Sequence, residues 1–150
     1  MAKLIFSDID GTLINTDLKV TPKTRDAIRR QIIKGNVFVP VSARMPKAIM
    51  TAAGQITNGC PMIAYNGALV LDEMGKPLNS QFMTAKTAAE ICQYAEDKNS
   101  GSAWNVYCGY NWYCSKNKSS LVEDEEKIVA LKAIPVSIDQ IKKLKGVHKV

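Results

Sequence analysis

Two aspartates two residues apart, delivered by a short apolar run, constrain this chain more than any other feature. The segment reads Lys3-Leu4-Ile5-Phe6-Ser7-Asp8-Ile9-Asp10-Gly11-Thr12-Leu13. Residues i and i+2 of an extended segment project to the same side. Asp8 and Asp10 therefore converge on one small volume at a strand's C-terminal end. In open α/β sheets that end is where ligands sit. Gly11 lets the backbone turn sharply and brings N–H groups close to a ligand. Two close carboxylates repel, and they become tolerable when a cation lies between them or when one holds a proton. Mg²⁺ suits such a place, because it takes one or two carboxylates together with phosphate oxygens.

Two plainer readings compete. Asp-x-Asp-Gly also makes ordinary polar turns. At average residue usage, however, Asp-x-Asp-Gly-Thr arises by chance in about two of a thousand chains of this length. A calcium loop wants glycine at its sixth position and glutamate at its twelfth. Counting from Asp8, Gly11 comes too early and Lys19 stands where the glutamate belongs. The strand context leaves phosphate chemistry as the reading that accounts for the whole segment.

Asp8-Ile9-Asp10-Gly11-Thr12-Leu13 resembles the first signature of the haloacid dehalogenase-like phosphohydrolases. The resemblance implies that Asp8 is a nucleophile forming an aspartyl-phosphate. Asp10 would protonate the leaving group and then activate water. Both would help hold Mg²⁺, with Gly11 at the phosphate. Asn36-Val37-Phe38-Val39-Pro40-Val41-Ser42-Ala43-Arg44 reads as a buried parallel strand ending in a small hydroxyl residue. It is similar to the family's second signature, in which such a hydroxyl binds the phosphoryl group, a role that falls to Ser42. Ala43 stands where the Cof-type subfamily usually has glycine. Arg44 is suited to grip phosphate bidentately, with a plain surface arginine as the alternative. Tyr65-Asn66-Gly67-Ala68 resembles the subfamily's Asn-Gly-Ala strand end, which would put Asn66 near the site. Asn-Gly is equally a hairpin turn signal, and residues 68–78 read as a hairpin arm and turn.

The remaining pattern gives the architecture. Thr21-Pro22 caps a helix predicted over residues 22–34, with Ala27, Ile28 and Ile32 as its apolar side. A second helix is predicted from Pro46 to Gln55 and a third strand from Met62 to Tyr65. Strand, helix, strand in succession is a βαβ unit with parallel strands. The fold class is thus α/β, with a partial Rossmann-like parallel-sheet core over residues 1–80; the arrangement over residues 81–150 resembles the start of the family's α+β cap domain. In the second part a helix is expected over residues 85–98, with Ala88, Ile91, Cys92 and Ala95 on one face. An aromatic hairpin, 103–108 with 111–115, should follow. A charged helix over 123–131, a short strand, a helix over 139–145 and a final strand complete the pattern. Trp104, Tyr107, Tyr110, Trp112 and Tyr113 read either as hairpin packing or as a substrate lid.

The resembled enzymes carry two further parts after the cap: a lysine beside the nucleophile and an acidic pair completing the Mg²⁺ shell. Neither is found here. The acidic run Val122 to Glu126 lacks a glycine and a preceding strand, and it suits a solvated helix start. The expectation is a truncated product or fragment, whose open sheet edge is hidden by homo-oligomerisation or by a complementing chain.

Composition sets outer bounds. With 46% hydrophobic and 23% charged residues the chain is ordinary globular material. No apolar run reaches membrane-span length, so no membrane role is expected. The net charge of +6 is spread without a stacking motif, which argues against nucleic acid and fits steering of a small phosphorylated metabolite. Four cysteines without a C-x-x-C pair and a single histidine give no zinc site. Reduced thiols and a cytoplasmic location are expected. The resemblance implies a Mg²⁺-dependent phosphohydrolase of small phosphate esters, of sugar phosphate or nucleotide type; the lysine and acidic pair not found here make a catalytically inactive binding remnant the alternative.

Overall fold

The computed structural model describes residues 1–98 and 103–150. The chain divides into two compact units, Met1–Ser80 and Gln81–Val150.

In the first unit, β1 (Leu4–Asp8), β2 (Val37–Val41), β3 (Met62–Ala64), β4 (Leu69–Leu71) and β5 (Pro77–Ser80) form one sheet in that order. The β1–β2 and β2–β3 pairs are parallel. The β3–β4 and β4–β5 pairs are antiparallel, so the sheet is mixed. Helix α1 (Pro22–Ile33) makes the crossover from β1 to β2, and α2 (Pro46–Ala53) the one from β2 to β3. The Thr21 hydroxyl accepts the Thr24 N–H at 3.2 Å, and Pro22 sits in the first helical turn, where its missing N–H has no intrahelical partner to lose.

The core of this unit sits on β2, not β1. Phe38 and Val39 are buried there, while α2 contributes Ile49, Ala52 and Ala53. On β1, by contrast, Leu4 and Phe6 are 62% and 58% exposed. The cause is topological: β1 is an edge strand paired only with β2. Helix α1 shares this shortfall. The expected apolar side is only partly used, since Ile28 and Ile32 are half-buried, Ala27 is exposed, and no α1 residue is fully buried.

In the second unit, α3 (Ala85–Asp97) precedes the hairpin β6 (Asn105–Cys108) and β7 (Asn111–Ser115). Helix α4 (Ser120–Val129), β8 (Ile134–Val136) and α5 (Ile138–Ile141) follow, with β8 parallel to β7. The stripe of α3 that packs inward is Ala85, Ala88, Ala89 and Cys92, spaced i, i+3, i+4, i+7. Ile91 was expected on that face but lies off it and is 43% exposed. Small residues let α3 approach closely, and Trp104, Val106 and Ile141 fill the remaining space. The expected helix over 139–145 is shorter, ending at Ile141. The final segment is paired rather than free: Val147 bridges Met83, and Lys149 bridges Tyr107.

Trp104, Trp112 and Tyr107 pack within this unit. Trp104 and Trp112 are buried. Their indole N–H groups donate to Glu96 at 2.8 Å and Asn105 at 2.7 Å, and Tyr107 stacks on Trp112 at 5.9 Å. The cysteines are free. Burial pushes Cys60 and Cys92 up to about 11, which leaves little thiolate at neutral pH.

Glu126 was read as part of a solvated helix start and is instead buried. Lys118 contacts its Oε1 at 2.5 Å, Lys132 its Oε2 at 2.9 Å, and the Ala133 N–H donates at 2.7 Å. These contacts, Lys118 first, then Lys132, hold the carboxyl at about 2 against burial, which acts the other way. A carboxyl depressed in the folded state stabilises above its unfolded value, about 4.5, and that stability is lost as pH falls toward 2. Both tryptophans of the chain lie in this unit, so their fluorescence reports its unfolding. We expect the thermal midpoint read by tryptophan to fall between pH 4.5 and 2. In Glu126→Gln it should be lower at neutral pH and should show a shallower acid decline.

Candidate active site

The parallel register sets the site. Asp8, the last residue of β1, lies opposite Val41, the last residue of β2, and Val41 lies opposite Ile63 of β3. The three strands therefore end side by side. The segments that follow them, 9–14, 42–45 and 65–68, share one end of the sheet.

After β1 the chain folds back immediately. The Ile9 carbonyl accepts the N–H groups of Leu13 and Ile14 at 3.0 and 3.1 Å. Gly11 has φ +73° at the tip of this turn, a conformation that disfavours side chains. Ile9, Leu13 and Ile14 are buried beneath it, so the turn is anchored from below while Asp10 stays exposed. The chain beyond is fastened by Gln55, whose side chain accepts the Val20 N–H at 2.9 Å and donates to the Leu18 carbonyl.

After β2, Ser42 is 4% exposed. Its N–H donates to the Ile63 carbonyl at 2.9 Å, and its Oγ accepts the Arg44 N–H at 3.2 Å. Ala43 is exposed and Arg44 partly sheltered. After β3 comes a 3₁₀ turn, Tyr65–Gly67, in which three successive residues have positive φ: Tyr65 at 53°, Asn66 at 54° and Gly67 at 99°. The turn connects β3 to antiparallel β4, with Ala64 opposite Leu69. Asn66-Gly67 thus realises the hairpin-turn alternative. Asn66 also meets the site through its backbone, since its N–H donates to the Ser42 carbonyl at 3.2 Å, and the Tyr65 N–H donates to the Arg44 carbonyl at 3.3 Å. These two bonds stitch the third strand end to the second.

Asp10 and Arg44, 34 residues apart, meet across the site. Arg44 Nε donates to Oδ2 at 3.0 Å and its terminal nitrogen to Oδ1 at 2.5 Å. The strand spacing indicated a carboxylate pair but not this arginine partner. Only the β1–β2 register, with Asp8 opposite Val41, carries that information. Tyr65 was likewise missed; a buried aromatic residue at φ 53° is an uncommon strain, of a kind that clusters at functional sites.

Asp8 and Asp10 supply carboxylates from one strand end. Among the described residues, no group of three or more His, Cys, Asp or Glu side chains stands together to hold a metal. Asp8 and Asp10 are of the oxygen-donor type that Mg²⁺ takes together with water and phosphate oxygens, and both oxygens of Asp10 are engaged by Arg44.

A family model described as haloacid dehalogenase-like hydrolase matches residues 5–150. A protein of Haemophilus influenzae named as a phosphatase is 32% identical over 117 residues, 78% of this chain and 42% of that protein. Phosphatase YwpJ of Bacillus subtilis is 27% identical over 123 residues, 82% of this chain and 42% of its own. The chain thus spans a little under half the length of these relatives. Among solved structures, TM0651 from Thermotoga maritima superposes with a TM-score of 0.80 at 22% identity, covering 98% of this chain and 54% of that one. The subclass IIB sugar phosphatase BT4131 does so at 0.76 and 20%, covering 98% and 56%. These two superpositions establish the fold.

The turn after β3 yields a direct test. A Cβ on Gly67 would meet nothing within 4 Å, so Gly67→Ala probes backbone strain alone. We expect it to cost about 1–3 kcal/mol in urea unfolding followed by far-UV circular dichroism. Asn66→Gly should change stability by less than about 0.5 kcal/mol or raise it, because glycine accepts the same angles freely.

Proposed function

The chain belongs to the haloacid dehalogenase-like hydrolases, and on that footing we propose that its strand-end cluster serves a Mg²⁺-dependent phosphohydrolase of small phosphate esters. The reading names sugar phosphates or nucleotide-type esters as substrate class and a Cof-type arrangement with a cap domain over residues 81–150. The observation that carries it is the convergence of Asp8, Asp10, Ser42 and Arg44 on the same end of the first sheet.

In this reading an Asp8 carboxylate oxygen attacks phosphorus. The ester P–O bond breaks, and Asp10 gives a proton to the departing oxygen. Water then attacks the phosphorus of the aspartyl-phosphate, the Asp8 O–P bond breaks to return the carboxylate and release phosphate, and Asp10 takes the water's proton. The Ser42 hydroxyl, the Gly11 turn, Ala43 and Arg44 hold the phosphoryl oxygens; Asn66 braces the Ser42 carbonyl through its N–H. Mg²⁺, when bound through Asp8 and Asp10, offsets the phosphate charge.

A binding chain without turnover is the second reading. It is favoured by one observation: two carboxylates, and no group of three, are available among the described residues. Charge neutralisation dominates phosphoryl transfer, so further groups from another chain would raise activity. The β1 edge, with exposed Leu4 and Phe6, is where we place a second copy or a complementing chain.

The test is hydrolysis of p-nitrophenyl phosphate by the 150-residue chain, with and without Mg²⁺. The hydrolase reading expects Mg²⁺-dependent turnover that falls at least a hundredfold in Asp8→Asn. Turnover equal to that of Asp8→Asn would favour the binding reading instead.

A further inference from the structure

The second sheet also ends two parallel strands side by side. β7 and β8 run parallel, and their last residues, Ser115 and Val136, lie opposite each other. In open α/β sheets ligands sit outside the carboxyl ends of such strands. A cavity of about 310 Å³ opens there, lined by α3, the segment after β7 and the start of α5. Every lining residue falls within the second unit, and none belongs to the cluster at the end of the first sheet.

The polar groups of this cavity are of two kinds. Glu96 of α3 is held in place. Its Oε1 accepts the indole N–H of buried Trp104 at 2.8 Å and the Ser115 hydroxyl at 3.3 Å. Both bonds fall on one oxygen, and Oε2 has no partner among the described residues. A carboxylate fixed this way has already lost much of the rotamer freedom that binding would otherwise cost. Lys116 and Asn117 are the opposite case. Both are exposed, and neither side chain makes a hydrogen bond or ion pair with the described residues. Donors and an acceptor that the fold does not use thus line one cavity.

Charge and size select the ligand. Glu96 and Asp139 line the cavity together with Lys116 and Lys142, so its carboxylates and ammonium groups balance. Lys142 already pairs with Asp139 at 2.8 Å. An anion drawn to Lys116 would be repelled by Glu96, and a cation drawn to Glu96 would be repelled by Lys116. A carboxylate only accepts hydrogen bonds and an ammonium only donates them, while a hydroxyl does both. Neighbouring hydroxyls therefore satisfy this lining where a single charged group does not. Buried Val136 and half-buried Ile138 add an apolar wall for the C–H face of a ring. The volume stands at the small end of ligand cavities, about 300–1,000 Å³, which suits one ring.

We propose that the carboxyl ends of β7 and β8, with Glu96, Lys116 and Asn117, form a binding site for a neutral polyhydroxylated molecule the size of a single sugar ring. The site goes beyond the proposed phosphohydrolase chemistry and does not depend on it. For a ligand of about a dozen heavy atoms the dissociation constant should be about 1–10 mM.

The experiment records amide resonances of the ¹⁵N-labelled 150-residue chain while D-glucose or myo-inositol is added up to about 50 mM. Methylammonium and inorganic phosphate serve as charged comparisons. We expect saturable shifts with at least one polyol at Glu96, Ser115, Lys116, Asn117 and Ser137, and none there with either ion. Lys116→Ala and Asn117→Ala, which remove no side-chain bond of the fold, should each weaken binding about threefold. Glu96→Gln keeps an acceptor and loses the charge, and should weaken it about fivefold. Tryptophan fluorescence checks that each variant stays folded. No saturable shift with either polyol, polyol shifts confined to other residues, or saturable shifts at these residues with either ion would overturn the assignment. So would polyol binding that is unchanged in all three variants.

Discussion

The in-register parallel pairing of β1 with β2 is the constraint on which the rest of the first unit depends. Five consecutive pairs, from Leu4 opposite Val37 to Asp8 opposite Val41, fix where both strands stop. A slip of one residue would turn every side chain of β1 to the other face and carry Asp8 away from Ser42. The register is held by what is buried on β2, Phe38 and Val39. Fully burying a phenylalanine contributes about 1.5–3 kcal/mol, more than any partly exposed ion pair at the strand ends. Apolar packing thus sets the geometry, and the polar groups at the sheet's end are carried to their places by it.

Those polar groups then answer a problem of charge. The chain brings two carboxylates to one strand end and meets one of them, Asp10, with a braced arginine. The bracing comes from the third strand. Tyr65 and Asn66 accept left-handed backbone angles so that their N–H groups reach the carbonyls of Arg44 and Ser42. Strain in the β3–β4 connection and order in the β2–α2 loop are two sides of one arrangement. The second unit handles a buried charge differently: Glu126 is closed in by two lysines and a backbone N–H, all three supplied from residues 118–133. One carboxylate is satisfied locally; the other, Asp10, sits exposed with a partner from a distant loop.

Much of this was legible in the residues themselves. The apolar run into Asp8, the Thr21-Pro22 cap and the apolar strand ending at Ser42 rest on local chemistry, and local chemistry survives folding. The α/β class follows from their order, and the hairpin from two aromatic, β-prone segments joined by Gly109-Tyr110. What could not be read depends on partners far away in sequence. Glu126 belongs to an acidic run whose helical spacing does not say which carboxylate turns inward; Lys118 and Lys132, both outside α4, decide it. Ile91 looks like a core residue, yet the alanine stripe one step around the helix is what packs. Arg44 looked free to grip phosphate, and its contact with Asp10 emerges only when the strand ends are aligned.

The central claim is that the ends of β1, β2 and β3 form one phosphate-binding site. Backbone amide resonances of the ¹⁵N-labelled chain, titrated with inorganic phosphate in the presence of Mg²⁺, test it most directly. The account predicts saturable shifts at Asp8, Asp10, Gly11, Ser42, Ala43, Arg44, Asn66 and Gly67, and none along the β6–β7 hairpin. Saturable shifts confined to other residues, or none at these positions, would contradict it.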